Sequence, residues 1–259
     1  MPKLLQSCWI CCKLIARSSN ASIDLNNSAA FFLEGIATLH AGNDTLEGGD
    51  GNDRLFGDVF NLLMSYAHGD VTKVANLGDD LIYGGEGTDY IAGDAQGVSD
   101  HVTAGQNGGT TRVYAGSDTI FTGNGGGSVF GDFQSVNLQY GTDFVYSGND
   151  IVISGHGNDR IWGDAAAVNI VNGTFYTGAD LFVFAANSGL DTIYDFEVGK
   201  DRLDVSALGY TDFASIMSLI EYDAITGHTT IDFDGTSANA DELLLENVAL
   251  LSAGDFLFA

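Results

Sequence analysis

The chain has 259 residues, 45% of them hydrophobic, and carries 35 Asp+Glu against 9 Lys+Arg, a formal net charge of −26. A surface this acidic repels phosphate backbones, which argues against nucleic-acid binding, and no apolar run reaches the ~18–20 residues of a membrane span. Glycine numbers 35 and proline 1 with no three-residue period, which excludes collagen, while the hydrophobic fraction is too high for outright disorder.

Residues 1–30 resemble nothing downstream. MPKLLQSCWICCKLIARSSN is a broken apolar stretch interrupted by Gln6, Ser7 and Lys13, a poor match to a cleavable export signal. All three cysteines, Cys8, Cys11 and Cys12, lie here. Without a second cluster they are a weak zinc or iron–sulfur pattern. The segment is read as an unassigned, poorly ordered extension or a misassigned start. The rest of the chain is cysteine-free and uses no disulfides.

Internal repetition organises residues 31–198. Four seventeen-residue blocks occur at 42–58 (GNDTLEGGDGNDRLFGD), 78–94 (GDDLIYGGEGTDYIAGD), 116–132 (GSDTIFTGNGGGSVFGD) and 148–164 (GNDIVISGHGNDRIWGD). Inside a block, Gly-x-Asp-x-apolar-x recurs after nine residues, from Asp44 to Asp53, Asp80 to Asp89 and Asp150 to Asp159. In the third block the step from Asp118 lands on Gly127, so that acid is missing. The apolar residue two after each repeat position is expected to point inward: Leu46, Leu55, Ile82, Ile91, Ile120, Val129, Val152 and Ile161. The blocks close on Asp58, Asp94, Asp132 and Asp164, at steps of 36, 38 and 32. The spacers between blocks hold sparse, partly alternating apolar residues (Val136, Leu138, Tyr140; Val168, Ile170, Val171), which fit short strands. Each spacer is either a degenerate coil turn or a hairpin-like excursion. Gly141–Asp143 repeats the Gly-x-Asp chemistry inside the third spacer.

The acids are 28 Asp and only 7 Glu. Asp tolerates turns and holds its carboxylate close to the backbone, where turn carbonyls and carboxylates converge on a hard cation such as calcium. The side chains assigned to calcium are Asp44, Asp53, Asp80, Asp89, Asp118, Asp150 and Asp159, followed by Asp143, Asp180 and Asp191. Such an ion takes ~6–8 oxygens, so the carbonyls of Gly42, Gly51, Gly78, Gly87, Gly148 and Gly157 are expected to complete the shells. Gly127 leaves its site weaker or empty. Asp58, Asp94, Asp132 and Asp164 either ligate or cap the turn that opens each spacer.

Gly48-Gly49-Asp50-Gly51-Asn52-Asp53-Arg54-Leu55-Phe56 and Gly84-Gly85-Glu86-Gly87-Thr88-Asp89-Tyr90-Ile91-Ala92 resemble the nonapeptide of the RTX (repeats-in-toxin) calcium-binding family. The resemblance implies an all-β fold, a parallel β-roll. In it, six residues of each nonapeptide turn, three form a strand, and one coil uses two nonapeptides. Calcium then sits between turns stacked on the same edge. With one inward side chain per short strand the core is thin, so metal binding must contribute to folding.

Residues 199–259 read as a small β-rich cap carrying a secretion signal. Asp195-Phe196-Glu197-Val198-Gly199-Lys200-Asp201-Arg202-Leu203-Asp204 resembles the phrase that closes the roll in serralysin-type proteins of the type I export pathway. A short helix is expected from Thr211 or Asp212 as N-cap to Ile220, then strands at Thr229–Asp234 and Glu242–Val248. The terminal Asp255-Phe256-Leu257-Phe258-Ala259 is either an uncleaved export signal or a last edge strand.

No His-Glu-x-x-His and no Gly-x-Ser-x-Gly occurs, and the five histidines are scattered, so no enzymatic activity is expected. The reading is a secreted, extracellular calcium-binding protein. It is exported unfolded by type I secretion machinery and folds on several calcium ions outside. Two alternatives stand beside it. One is an adhesive surface protein whose spacer aromatics (Phe60, Tyr66, Phe133, Tyr140, Phe175, Tyr176) bind glycan or protein. The other is an accessory module of a larger secreted enzyme such as a protease, epimerase or lyase.

Overall fold

The computed structural model describes residues 6–10, 29–32, 37–66, 72–102, 108–235 and 241–259. Cys11 and Cys12 lie outside the described residues, as does most of the N-terminal extension. Within that extension Gln6–Ile10 pairs in parallel with Ala37–Ala41, and Ala29–Phe32 with Val59–Tyr66.

The described chain is a parallel β-solenoid with four sheets. In chain order, one rung runs through Ala37–Ala41 in sheet one, Thr45–Asp50 in sheet two, Arg54–Phe56 in sheet three and Val59–Tyr66 in sheet four. The next rung repeats this order at Thr72–Asn76, Leu81–Glu86, Asp89–Ala92 and Ala95–Val102, and two more rungs follow. Thr45 faces Leu81 and Arg54 faces Tyr90 across directly bonded strands, so successive blocks stack on each other with nothing between them.

This corrects the expected coil of two nonapeptides. One full turn takes a block plus its spacer, and the spacer is neither a coil of its own nor a protruding hairpin. It supplies the other half of the same rung. A spacing of 36 residues serves two coils of eighteen or one of thirty-six equally well; the strand register selects the second.

Each rung therefore has two lobes. Sheets two and three enclose the nonapeptide lobe, where Leu46, Ile82, Ile120, Val152, Phe182 and Leu203 face the column Leu55, Ile91, Val129, Ile161, Ile193 and Leu245. All eight apolar residues assigned inward from the repeat are at most 1% exposed. Sheets one and four enclose the spacer lobe around Leu39, Leu62, Met64, Val98, Val113, Phe133, Val136 and Val145. Its sheet-one strand Thr72–Asn76 alternates buried and half-buried positions, because one face meets the core and the other turns outward.

The spacer lobe ends with Ala165–Ile170 and Gly173–Tyr176, the last strands of sheets four and one. The nonapeptide lobe continues. Arg202–Asp204 and then Phe256–Leu257 extend sheet two, and Glu242–Leu245 extends sheet three. Two antiparallel strands, His228–Asp232 and Ile220–Asp223, complete that end. Strands on both sides of residue 199 thus share sheets. Phe256–Leu257 is the edge strand of sheet two. Asp212 caps the short helix Phe213–Ile216 by accepting from the Ser215 N–H at 2.9 Å. The helix is shorter than expected because Met217–Leu219 tightens into a 3-10 turn before Ile220. Among the described residues no helix is long and apolar enough to cross a membrane.

Candidate metal centre

The nine-residue alternation sends the block acids to two different places. Asp44, Asp80, Asp118, Asp150 and Asp180 follow the strands of sheet one and open sheet two, so they stack at the waist between the lobes. Asp53, Asp89, Asp159 and Asp191 follow the glycine turn that joins sheets two and three, at the outer edge of the nonapeptide lobe. Gly127 stands in register with Asp89 where the third acid is missing.

At the waist each carboxylate reaches down one rung. Asp80 Oδ1 accepts from the Asp44 N–H at 2.6 Å, Asp118 from Asp80 at 2.6 Å, Asp150 from Asp118 at 2.7 Å and Asp180 from Asp150 at 2.8 Å. Asp201 ends the column by accepting from Asp180 at 3.0 Å, only 21 residues on, because the spacer half-rung has been dropped. The second oxygens Oδ2 of Asp80, Asp118, Asp150 and Asp180 are buried with no hydrogen-bond partner.

The facing wall carries the Gly-Asp that closes each block. Asp58 accepts from the Gly78 N–H at 2.8 Å, Asp94 from Gly116 at 3.2 Å, Asp132 from Gly148 at 3.0 Å and Asp164 from Gly178. These four acids therefore cap the turn that closes each spacer, across the waist, instead of the turn that opens it. Asp195 stays on its own wall, accepting from the Gly163 and Asp164 N–H groups of the rung below. The glycine before each of the four is a steric requirement. A Cβ on Gly57, Gly93, Gly131 or Gly163 would overlap the carboxylate of Asp80, Asp118, Asp150 or Asp180.

Burial is the largest cause of the high pKa values here, and neighbouring carboxylates add to it. Asp58 is pushed up to about 7, and Asp80 and Asp180 to about 9. Asp94, Asp118, Asp132 and Asp150 are pushed well above the ordinary range, again chiefly by burial. Isolated buried carboxylates cost several kcal/mol each when ionised. The column thus needs protons or cations to stay folded.

The outer column differs along its length. Asp89 Oδ1 accepts from the Asp53 N–H at 2.9 Å, while Asp89 Oδ2 has no hydrogen-bond partner. Higher up, hydroxyls replace the glycines of the turn. Thr122 donates to Asp159 at 2.9 Å, and Ser154 donates to Asp191 at 2.9 Å. Thr122 and Ser154 stand where Gly48 and Gly84 stand in the lower rungs. Burial raises Asp89 to about 6 and Asp191 to about 7. Asp241 closes the uppermost turn by accepting from the Asn187 and Ser188 N–H groups.

The glycines assigned as carbonyl ligands divide the same way. Gly42, Gly78 and Gly148 lie in one waist column with Gly116 and Gly178, and Gly51, Gly87 and Gly157 lie in the outer turns. Gly51 and Gly87 adopt φ of 122° and 118°, which side-chain-bearing residues rarely reach. Asp143 is in neither column. It sits buried on Thr142–Tyr146 in register with Thr111, inside the spacer lobe.

Unpartnered, buried carboxylate oxygens backed by glycine turns suit a hard divalent cation better than they suit a soft one. The donor set therefore fits calcium. Asp44, Asp80, Asp118, Asp150 and Asp180 at the waist, and Asp53 and Asp89 at the outer edge, are the residues that would hold it. Asp58, Asp94, Asp132 and Asp164 were only half legible in sequence, since their backbone partners lie 14 to 22 residues away. Asp195, Asp201 and Asp241 were not assigned to the site. The repeat-like Asp-x-x-x-Gly-x-Asp phrase contains the first two.

Residues 42–258 match the family model described as peptidase M10 serralysin C terminal. A comparison with curated proteins finds no match. Among solved structures the chain is similar to the AlgE6R2 subunit of the Azotobacter vinelandii mannuronan C5-epimerase. The identity is 26% and the TM-score 0.33, over 55% of this chain and 88% of that one. The family model spans most of the chain, and the protein belongs to the serralysin C-terminal family of RTX-type repeat domains.

Proposed function

We propose that this protein is a secreted calcium-binding solenoid that orders as it takes up calcium after type I export. The observation that carries the reading is the pair of Asp columns, whose buried oxygens lack hydrogen-bond donors at Asp80, Asp89, Asp118, Asp150 and Asp180. A bound divalent cation supplies positive charge that no side chain brings to these positions. In calcium-poor cytosol the carboxylates repel and the chain stays unfolded and exportable. Outside, at calcium of ~10⁻⁴–10⁻³ M, binding free energy becomes folding free energy. Type I export rests on the family resemblance of the C-terminal region. Far-UV circular dichroism in EGTA and then in excess calcium tests the switch. The β-sheet signal should appear only with calcium, and identical spectra would end this reading.

The family description favours a second reading, an accessory module of a larger secreted enzyme, because it names the C-terminal part of a peptidase. A catalytic polypeptide that co-purifies with the calcium-loaded chain from culture medium would establish it. The adhesive alternative is weakened by the packing of its phenylalanines. Phe133 is fully buried, Phe175 packs on the spacer-lobe core and Phe60 packs edge-on against Phe56. Tyr140 and Tyr176 are exposed, and Tyr176 stacks on Tyr146 at 4.7 Å by one face only.

A further inference from the structure

We infer that the waist contains a second class of divalent-cation site, in which Gly-Asp acids of one wall join nonapeptide acids of the facing wall and pin the two lobes together. The inference rests on the calcium-binding reading and adds a ligand set outside the repeat positions. Ligand oxygens of Asp44, Asp58 and Asp80 lie within 4.8 Å of one another, and so do those of Asp94, Asp118 and Asp132. Each set takes acids from both walls.

Three further observations point to an ion there. Asp118 Oδ2 and Asp150 Oδ2 are buried without a hydrogen-bond partner, in residues 1% exposed. Both are aimed across the waist, since they are among the first atoms that a Cβ on Gly93 or Gly131 would meet. Those glycines immediately precede Asp94 and Asp132, which are fully buried. Finally, the waist is closed in. Apolar cores flank it on both sides, and Phe56, Ala92 and Phe130, each next to a Gly-Asp, form an apolar cluster with Trp162 along that wall. Water is poorly placed to satisfy these oxygens, whereas one ion shared by three carboxylates removes several unpaired acceptors at once.

The outer column, by contrast, links only successive turns of one lobe. Loss of a waist ion releases one wall from the other, so its effect should reach the spacer lobe as well as the nonapeptide lobe.

The test counts calcium on the purified, calcium-loaded chain after desalting, by elemental mass spectrometry, with the midpoint of calcium-induced folding followed by circular dichroism. Variants Asp94→Asn and Asp132→Asn are compared with the outer-column variant Asp89→Asn. Asp94→Asn and Asp132→Asn should each lose one retained ion, and the double variant should lose no more than either single one because they share that ion. Asp89→Asn should keep it. If Asp94→Asn retains the parent's full count while Asp89→Asn loses an ion, calcium binding stands and the waist proposal falls, with protons filling the column. If the parent retains no calcium and shows no calcium-dependent folding, both readings fall.

A variant that does not fold is covered by a measurement on the parent alone. Europium is loaded in place of calcium and its luminescence lifetimes are compared in H₂O and D₂O. A population with at most one bound water supports the closed waist site. Ions that all carry two or more waters overturn it.

Discussion

The two lobes share every rung yet are built on opposite principles. The spacer lobe is held by strands of up to eight residues, Val59–Tyr66 and Ala95–Val102, whose inward side chains (Val59, Leu62 and Met64; Ala95 and Val98) help fill a core of Val, Leu, Met and Phe. The nonapeptide lobe uses strands as short as three residues, such as Thr119–Phe121 and Ile151–Ile153, each placing a single side chain inward. At ~0.8 kcal/mol per buried CH₂, one such side chain does not offset ~1–2 kcal/mol of backbone entropy for each of nine residues. Acid columns border the weaker lobe on both edges, at the waist and at the outer turns. The difference teaches where further cohesion is needed: beside the lobe whose packing is insufficient alone, which is where the proposed calcium would act.

The largest expected effect separates the lobes by charge. A folded carboxyl with a raised pKa holds its proton more tightly than the unfolded chain does. Its contribution to metal-free stability is full below about pH 4 and lost as pH rises through the folded value. Those values are about 7 for Asp58 and about 9 for Asp80 and Asp180. Without calcium the chain should therefore gain order as pH falls from 9 to about 4. With calcium the dependence should reverse, because protons compete for the ligands. Hydrogen exchange resolves which lobe responds. At pH 8 and sub-saturating calcium, protection should fall further around Ile82, Ile120 and Val152 than around Val98 and Val136. Uniform loss, or a metal-free chain equally ordered at both pH values, would erase the distinction.

A core deletion breaks the comparison from the other side. Phe133 is fully buried in the spacer lobe. Phe133→Ala should cost ~3–5 kcal/mol in urea unfolding at saturating calcium, through lost burial and a residual cavity. The folded fraction should still bind as many ions as the parent. A reduced count would mean that the spacer core, and not the columns alone, sets the metal sites.

Much of the nonapeptide lobe was legible because its rule is local. Asp-x-apolar names the inward residue, and Leu46 through Ile161 obey it. Asp212 as N-cap was equally local. The rung was not legible, since only hydrogen-bond register distinguishes one long turn from two short ones. The waist was half legible for the same reason: Asp58 is visible, but its partner Gly78 is reached only after the chain has crossed the spacer lobe and returned. Asp143 carries a Gly-x-Asp signature into a strand, opposite Thr111 in the spacer lobe and away from both columns. Thr122 and Ser154 are visible departures from the glycine at the start of the turn. Their meaning depends on acids stacked above them.

Those two hydroxyls give the next, smaller effect, one internal to the outer column. Ser154→Ala removes the donor to Asp191, and a hydrogen bond to a charged group contributes ~1.5–3 kcal/mol. At the lowest calcium level that keeps the chain folded, urea unfolding at neutral pH should register a loss toward the lower end of that range. At saturating calcium the loss should shrink if an ion takes over the freed oxygen. An unchanged difference would mean that the upper turns are closed by hydroxyls alone.

The smallest effect tests the end of the nonapeptide lobe that owes least to metal. Asp212 is exposed and accepts from the Ser215 N–H, while Ile216 one residue further is fully buried. Asp212→Ala should cost ~1 kcal/mol, the usual value of an N-cap. The cost should be the same at every calcium concentration that keeps the chain folded, because no acid of either column touches this helix turn. Measured as paired urea midpoints at two calcium levels, a cost that grew as calcium fell would instead couple the helix to the columns, through Ile216 and the core it shares with Leu203.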